Sequence, residues 1–463
     1  LLQRERVGVS DNFFELGGHS LKAAELLSAI HRDFDRALTL RDVFHRPTVR
    51  ELASFLDEDG RVSSEERYAP IPKVEERPVY PLSPAQNRLF ILQSMDENDT
   101  AYHLTSALVI RGPLDRERLS SAVRSLSRMH ETLRSSFDWT DGQPVQRVSP
   151  EVLGDINFED AGLSDPEALV QAFVRPFRLH ESPLLRVKLY RMKEPDVHLL
   201  LLDLHHLISD GVSMAVLARQ FMALYEGKPS LELPVQYRDY AAWHSECVSS
   251  KACEEQENYW LKELSGEVPT LNLPIDYPRP ERMDHQGDQV MIELDSRIAS
   301  ELTDLSARSG TTLYATLLAA FTALLHRYTG QTDIWIGSPV AGRPHADLAD
   351  LIGMFVNTVI VRTQPQDKAT FRELLEQTKE KALGALEHDR YPFEMLVDKL
   401  GVRRDIGRNP LFDVMFILQN TGIPSVTVGA TRFEPYEFRQ TTAKFDLTLE
   451  VVENPDGKLR CRF

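Results

Sequence analysis

The sequence predicts a multidomain protein in which a small all-α unit is followed by a larger α/β unit of two lobes. Its 463 residues exceed the length of an ordinary single domain and can bury several cores. Near the start, apolar residues recur at helical spacing, whereas from Pro81 onward strand-like apolar runs alternate with helical patterns. A hydrophobic fraction of 42% and a charged fraction of 27% are typical of a globular chain with ordinary cores.

Residues 1–57 form the predicted all-α unit. Four apolar residues share one face of a helix that begins near Ser20, namely Leu21, Ala24, Leu27 and Ile30. A capping box formed by Thr48 and Glu51 predicts the start of a later helix. Because a unit of this size is marginal as a free-standing domain, we expect part of it to lie upstream of Leu1.

Residues 58–80 lose this periodicity and form a predicted linker. Acidic, glycine and serine residues are mixed there with Pro70, Pro72 and Pro78. Prolines favour extended backbone, so we expect a semi-stiff connection rather than a floppy one.

Two lobes of similar size follow, with boundaries predicted at 81–250 and 251–463. In the first, buried strands at 107–110 and 197–204 precede a helix at 211–226. A polar helical stretch at about 240–264 separates the lobes. The second lobe has a helix at about 313–328, a strand at 334–337, and a hairpin of 447–452 with 459–463. Since the chain stops inside that hairpin, we expect its C-terminus to be truncated.

Charge and composition exclude several functional classes. The net charge of −17 argues against nucleic acid and against an anionic membrane surface. We find no apolar run long enough to span a bilayer and no signal peptide at the start. Cys247, Cys253 and Cys461 lack metal-site spacing, so the sequence predicts no metal ion. They are more simply free thiols in a reducing cytoplasm, where we expect the protein.

The first motif surrounds Ser20, within the string DNFFELGGHSL at residues 11–21. One interpretation is an ordinary helix start, with glycines in a tight turn. The other is covalent attachment of a phosphate-linked arm, because a helix N-terminus stabilises a phosphodiester through its free N–H groups and dipole. Gly17 and Gly18 would then let a modifying enzyme approach the backbone.

The second motif is HHLISDG at residues 205–211, which closes the apolar run before it. Taken alone, the pair is explained by two ordinary histidines, one of them buried. A functional histidine would suit acyl transfer to an amine, which needs a mild base and a group that favours the tetrahedral intermediate. For that role we expect a pKa near the usual 6.5. Nucleotide-binding and Gly-x-Ser-x-Gly motifs are absent from the sequence.

The string at residues 11–21 resembles the core motif of peptidyl carrier proteins from nonribosomal peptide synthetases. That resemblance implies that Ser20 carries 4′-phosphopantetheine, attached by a phosphopantetheinyl transferase. It also implies that the first helix of the carrier fold precedes Leu1. We refer to residues 1–57 as the carrier unit.

The string at residues 205–211 resembles the HHxxxDG motif of condensation domains. The resemblance makes His206 the key catalytic residue, as base, orienter of the amine or stabiliser of the intermediate, and it makes His205 structural. Asp210 would brace the loop by pairing with an arginine of the other lobe, for which Arg343 is the candidate. Gly211 would permit close backbone approach where the phosphopantetheine arm passes.

Further condensation-domain motifs occur in order, and they extend the resemblance over nearly the whole chain. Each motif alone could also be explained by ordinary helix packing, but the occurrence of all of them in order favours the condensation-domain family. They lie at residues 83–88, 128–134, 237–243, 352–358, 391–394 and 408–411. Arg88 and Asn357 fall within them and are expected to support the site. The family's fold implies two lobes that each resemble chloramphenicol acetyltransferase, arranged as an open V.

The resemblance implies peptide bond formation with the donor chain on Ser20. An upstream adenylation domain would load the donor, and a downstream aminoacyl carrier would bring the acceptor. Residues 208–213 and 353–355 resemble the subtype that joins an L-donor to an L-acceptor. Epimerisation remains an alternative, although residues 355–358 and His19 count against it. Heterocyclisation is disfavoured because both histidines are present, and a non-catalytic docking platform would have lost them.

Overall fold

The carrier unit contains three helices: α1 (Ser20–Phe34), α2 (Leu40–His45) and α3 (Val49–Glu58). The computed structural model describes residues 2, 6–14, 16–18, 20–36, 38–58, 68–402, 405, 407–419, 425–454 and 456–463. Helix α1 begins at the predicted residue. The predicted capping box is also confirmed, since Thr48 Oγ1 accepts from the N–H of Glu51 at 3.2 Å while Glu51 Oε2 accepts from the N–H of Thr48 at 3.2 Å.

The linker is described from Tyr68 onward, and residues 68–79 contain neither helix nor strand. The predicted linker residues 59–67 lie outside the described residues. Tyr68 itself is held firmly. Its hydroxyl donates to Asp347 Oδ1 at 2.6 Å, its N–H donates to Asp35 Oδ1 at 2.6 Å, and its ring stacks on His345. The linker therefore joins the carrier unit to the later part of the chain through specific contacts.

The first lobe contains seven strands and four helices up to residue 225. In chain order they are β1 (Tyr80–Pro81), α4 (Pro84–Met95), β2 (His103–Arg111), α5 (Arg116–Met129), β3 (Ser135–Thr140), β4 (Gln143–Val148), β5 (Asn157–Gly162), α6 (Pro166–Phe173), β6 (Leu185–Met192), β7 (Val197–His205) and α7 (Gly211–Tyr225). The long apolar run of β7 reflects its central place, because both faces of the strand are buried by protein. Helices α5 and α7 pack on the sheet through Leu119, Leu126 and Phe221.

Two helices lead into the second lobe, α8 (Tyr237–Val248) and α9 (Lys251–Glu263). They replace the single helical stretch predicted at 240–264. The remaining elements are β8 (Met291–Leu294), α10 (Ser296–Arg308), α11 (Leu313–Thr329), β9 (Ile334–Val340), β10 (Asn357–Thr363), α12 (Phe371–Glu387), α13 (Phe393–Lys399), β11 (Val414–Gln419), β12 (Val426–Val428), β13 (Thr431–Pro435), β14 (Leu447–Glu453) and β15 (Leu459–Arg462). The predicted terminal hairpin is confirmed as β14 and β15, which pair antiparallel.

Each lobe is built on one six-stranded sheet. The first sheet has the order β12-β13-β2-β7-β6-β5 and the second has the order β10-β9-β11-β14-β15-β8, while β1, β4 and β3 form a small separate sheet. In the core of the second lobe, α11 packs against the strands through Leu318, Phe321 and Phe416. The predicted two-lobed α/β architecture is confirmed.

One strand pair crosses between the lobes. Strands β12 and β13 come from the second half of the chain but complete the first sheet, where Phe433 pairs with Ile110 and is almost fully buried. The boundary predicted at residue 250 therefore does not separate the two sheets. The period-2 pattern of a strand shows which face is buried but not which sheet accepts it.

The carrier unit packs on helix α12 of the second lobe. Leu383 is buried in the same cluster as Phe13 and Val43 of the carrier unit, and Leu386 packs beside it. Arg41 forms a two-pronged ion pair with Glu387, with N···O distances of 3.0 and 3.2 Å. The apolar contact and the ion pair together determine which face of the carrier unit packs against α12.

None of the described helices combines the length and the apolarity that a bilayer crossing requires.

Candidate active site

The histidine pair lies where the central strand of the first sheet ends. Strand β7 ends at His205, residues His206–Ile208 form one turn of 3₁₀ helix, and α7 begins at Gly211. On the neighbouring strand β2, His103 pairs with His205. The local sequence explains this geometry, since the apolar run ends at the histidines and Asp210 caps the following helix.

His205 is fully buried and uses both ring nitrogens. Its Nδ1 accepts from the N–H of Leu207 at 3.1 Å, so Nε2 carries the proton and donates to Gln93 Oε1 at 3.1 Å. Burial lowers the pKa of His205 well below its usual value. The structure thus places His205 as a support beneath the loop, the place expected for a structural histidine.

His206 is partly exposed and lies at the junction of the two lobes. Its N–H donates to Tyr102 O at 2.8 Å, and its ring Nδ1 lies 3.2 Å from the sulfur of Met354 in the second half of the chain. A thioether can only accept, so this contact puts the ring proton on Nδ1 and makes Nε2 the acceptor nitrogen of the ring.

The pKa of His206 does not match the sequence-based expectation. Desolvation, and next the positive charge of Lys444, lower this pKa from 6.5 to about 3. The expectation of an ordinary pKa is wrong because it took no account of burial by the second lobe or of a lysine more than two hundred positions later. At neutral pH the imidazole is uncharged and only weakly basic.

Asp210 is buried and braces the loop from three directions. One carboxylate oxygen accepts from the N–H of Ser213 at 2.7 Å and caps α7. The other accepts from the N–H groups of Phe355 and Val356 at 2.8 and 3.1 Å. These bonds attach the helix start to the segment that carries Met354, and they occupy both carboxylate oxygens of Asp210.

The arginine implied by the resemblance lies beside Asp210 but makes no hydrogen bond to it. Arg343 Nη2 is 3.8 Å from Asp210 Oδ1 and donates instead to Ser213 Oγ at 2.8 Å. Its Nη1 donates to the carbonyls of Leu348 and Leu351, and its guanidinium lies over the ring of Phe355 at 4.1 Å. The expected pairing is therefore a close charge contact within a larger network that Arg343 organises.

Gly211 is the first residue of α7, and no other residue fills the space beside it. A methyl group added there would meet no heavy atom within 4 Å, and the backbone adopts no left-handed conformation. Protein packing therefore does not require a glycine at this position. The free volume in front of the helix start fits the expectation that something else approaches the backbone here.

Arg88 and Asn357 both act at helix α13. Arg88, from α4 of the first lobe, lies 3.7 Å from Glu394 and over the ring of Phe393. Asn357 donates to the carbonyls of Asp389 and Tyr391 at 2.8 and 2.7 Å and accepts from the N–H of Phe393. Neither side chain hydrogen-bonds to His206. They join β10, α13 and the first lobe around the site.

The structure adds residues that the motifs did not identify. Tyr102 and Lys444 lie beside His206, and Asp99 pairs with His285 at 2.7 Å next to them. A lone lysine or tyrosine in sequence gives no signal of such placement, because the contact joins residues from distant parts of the chain. Within the described ranges, no cluster of three or more histidine, cysteine or acidic side chains could hold a metal ion.

Ser20 is the first residue of α1, and the described residues do not include its side chain or His19. Gly17 has a φ of 93°, which favours glycine. A methyl group on Gly18 would overlap both the ring and the carbonyl of Phe13. The glycine pair therefore has a packing reason of its own, since it lets the turn close against Phe13 and sets the start of the helix.

Comparison with known proteins identifies two families along the chain. The family model described as Condensation domain matches residues 76–463, and the one described as Phosphopantetheine attachment site matches residues 2–56. The chain is 43% identical over 450 residues to tyrocidine synthase 3 of Brevibacillus parabrevis, and 44% identical over 453 residues to gramicidin S synthase 2 of Aneurinibacillus migulanus. These matches cover 97% of the chain but only 7% and 10% of those relatives.

Solved structures share the fold at lower identity. A four-domain nonribosomal peptide synthetase bound to AMP and glycine superposes with a TM-score of 0.77 at 23% identity, covering 88% of this chain and 32% of that one. The X-domain from teicoplanin biosynthesis gives 0.76 at 24% identity, covering 84% and 90%. The first condensation domain of the calcium-dependent antibiotic synthetase gives 0.69 at 23% identity, covering 83% and 90%.

Proposed function

The chain belongs to the condensation domain family, with a phosphopantetheine attachment domain ahead of it, and from this premise we propose that it forms peptide bonds in nonribosomal peptide synthesis. The supporting observation is the partly exposed His206 imidazole at the lobe junction, with Nδ1 turned to the sulfur of Met354. The activity is that of an acyltransferase that makes an amide.

The proposed reaction joins an acceptor amine to a donor thioester. The amine nitrogen bonds to the thioester carbonyl carbon, the carbon–sulfur bond breaks, and one amine proton ends on the departing sulfur. No oxidant, nucleotide or covalent enzyme intermediate is needed. The protein has to align the two reactants and stabilise the tetrahedral state, and alignment alone can contribute several powers of ten.

His206 orients the amine rather than holding its proton. Nε2 accepts a hydrogen bond from the attacking N–H, which points the nitrogen lone pair at the carbonyl. A pKa of about 3 makes a lasting imidazolium unfavourable, so proton transfer through His206 has to be concerted with departure of the sulfur. Asp210 and Arg343 act on the reaction only through the position of the 354–356 segment and of the helix start.

Ser20 carries 4′-phosphopantetheine in this proposal. When bound, that group supplies a long thiol-ended arm for the donor. The backbone fits the attachment, because α1 begins at Ser20 and the Gly18 turn is packed tightly against Phe13. Ser20→Ala should abolish the mass increase that a phosphopantetheinyl transferase produces, and this readout does not depend on condensation.

An adenylation domain upstream and an aminoacyl carrier downstream complete the proposed partners. The unpaired Cys247, Cys253 and Cys461 support a reducing cytoplasm as the place of synthesis. For stereochemistry we propose an L-donor and an L-acceptor. Loading Ser20 with D- and L-terminated donors and comparing transfer tests this, and faster transfer of the D-donor would contradict it.

The decisive experiment is single-turnover transfer followed by intact-protein mass spectrometry. Ser20 is loaded with an L-aminoacyl donor, and a downstream carrier bearing a second amino acid is added. The donor mass should move to the second carrier, and His206→Ala should slow transfer by about 100- to 10,000-fold. His180→Ala, an exposed histidine of the same lobe, is the matched control.

Transfer that is equally fast in His206→Ala would contradict the role of His206. Loading without transfer for several amino-acid pairs would favour a docking platform. Deuterium uptake at the donor α-carbon would instead reveal epimerisation.

A further inference from the structure

Lys444 projects from a segment that is fixed on several sides. Its own carbonyl accepts from Asn409 Nδ2 at 3.0 Å. On one side Ala443 N–H donates to His285 O at 2.8 Å, and on the other Asp446 N–H donates to Asp413 O at 3.0 Å. The backbone of Lys444 is thus anchored within the second lobe, and its side chain extends from that anchor toward Tyr102 of the first lobe.

The side chain of Lys444 extends toward Tyr102, the residue that adjoins His206. The Lys444 ammonium lies over the ring of Tyr102, 5.4 Å from its centre, and the carbonyl of Tyr102 accepts from the N–H of His206. The charge of Lys444 is also felt by the His206 imidazole, whose pKa it lowers. Lys444 and His206 therefore both adjoin Tyr102 at the lobe junction, on its ring and on its carbonyl respectively.

In the described part of the chain, no carboxylate lies within 4 Å of this ammonium and no acceptor hydrogen-bonds to it. The nearby carboxylate of Asp99 is engaged by His285 at 2.7 Å and by the N–H of Ala101 at 2.8 Å. Desolvation lowers the pKa of Lys444 to about 8, so the group remains mostly protonated at pH 7. The partly exposed ammonium lies over the ring of Tyr102 and keeps its N–H donors unused within the described structure, so it can donate to an anion that binds beside it during function.

We propose that Lys444 Nζ donates to the oxyanion that develops on the donor carbonyl oxygen, and so is a catalytic residue of the condensation reaction. This inference rests on the proposed function, in which the carbonyl oxygen gains negative charge as the carbon–nitrogen bond forms. The ground-state thioester is neutral there, so the cation stabilises the tetrahedral state more than the substrate, which is the requirement for catalysis. His206 orients the amine on one side of the carbonyl while Lys444 holds its oxygen.

The test compares Lys444→Met and Lys444→Arg with the unchanged chain. Methionine keeps the length and loses the charge, whereas arginine keeps the charge. Single-turnover transfer should fall by about 100- to 1,000-fold in Lys444→Met and less in Lys444→Arg. Loading of Ser20 should be unchanged, and thermal stability should not fall. Lys458→Met, which removes an ion pair to Glu293 on the distant hairpin, is the control and should transfer normally.

A second measurement separates this inference from the proposed function. Donor and acceptor arms joined through an anionic tetrahedral phosphonamidate mimic the intermediate, and the amide-linked product analogue is the neutral counterpart. Lys444→Met should weaken binding of the phosphonamidate but not of the amide. Equal phosphonamidate affinity, or transfer at the original rate, would overturn the role of Lys444. If the unchanged chain transfers nothing, the proposed function fails, and the phosphonamidate titration still decides whether Lys444 binds the anion.

Discussion

Asp210 and Phe355 are joined by a hydrogen bond of 2.8 Å between a side-chain carboxylate and a backbone N–H, across 145 positions of sequence. The same carboxylate caps α7 through Ser213. Because Met354, the residue before Phe355, contacts His206, the position of the imidazole depends on this link. One aspartate thus couples the end of the histidine loop to the second lobe.

Replacing Asp210 by asparagine should reduce both stability and transfer. An amide keeps one oxygen acceptor, so either the cap of α7 or the bonds from Phe355 and Val356 lose their partner. We expect a loss of about 1–3 kcal/mol in the free energy of unfolding, measured by urea titration. Asp115→Asn is the matched control, since Asp115 caps α5 from an exposed position of the same lobe. It should lower stability less and leave transfer unchanged.

The rate of transfer should follow the ionisation of the acceptor amine and not that of His206. With a pKa of about 3, His206 stays neutral across pH 5 to 8. The logarithm of the single-turnover rate should therefore rise with pH at a slope of one while the amine is protonated, and the rate should fall again above about pH 8 as Lys444 loses its proton. A second ionisation near pH 6.5, with the slope approaching two below it, would show that His206 titrates normally.

Local pattern was enough to predict the strand, turn and helix around His205–Gly211 and the helix that begins at Ser20. In both places the signals lie within about ten residues of each other. The pKa of His206 could not be predicted in this way, because it depends on contacts with Met354 and Lys444 from other parts of the fold. The same holds for the β12–β13 crossing, since burial of Phe433 in the first sheet requires a partner strand more than three hundred positions earlier.

His244 should make the protein less stable as the pH falls. Burial lowers its pKa to about 4, and its Nδ1 has no hydrogen-bond partner in the described structure. The unfolded chain, with a pKa near 6.5, takes up a proton that the folded chain refuses, so stability falls from about pH 6.5 towards pH 4. His244→Phe preserves the stacking on Tyr240 and removes this effect.

The gain in unfolding free energy from His244→Phe should be about 2 kcal/mol larger at pH 5 than at pH 7.5. Urea titrations at the two pH values measure it. His180→Gln, which replaces an exposed histidine, is the control. Its unfolding free energy should change between the two pH values by the same amount as that of the unchanged chain. A gain that does not change with pH would mean that His244 has the same pKa in the folded chain as in the unfolded chain.

Tyr68 should hold the carrier unit on the second lobe. Its hydrogen bonds to Asp35 and Asp347 and its stacking on His345 span the two units. Tyr68→Ala removes the ring and the hydroxyl but keeps the backbone bond. We therefore expect faster tumbling of the carrier unit by ¹⁵N relaxation, with Tyr68→Phe intermediate. Tyr277→Ala, at an 83% exposed tyrosine, should change nothing. Unchanged tumbling in Tyr68→Ala would leave the apolar contact at Leu383 as the main attachment.

Two motif glycines should respond in opposite ways to a single added methyl group. On Gly353 the methyl would overlap the ring of Tyr237, whose hydroxyl donates to Met354 O at 2.6 Å. Gly353→Ala must therefore displace Tyr237 or the backbone next to Met354, and we expect losses of both stability and transfer. At Gly211 the added methyl meets no protein atom within 4 Å, so Gly211→Ala should fold with equal or slightly higher stability.

Because Gly211→Ala should leave the fold unchanged, its transfer rate tests only whether the substrate passes close to this position. If the donor arm passes close to the helix start, the methyl occupies its path, and single-turnover transfer should fall while the urea midpoint does not. Transfer at the original rate would mean that the arm takes another route. The pair separates a glycine required by the protein's own packing, at Gly353, from one whose free space is kept for a substrate, at Gly211.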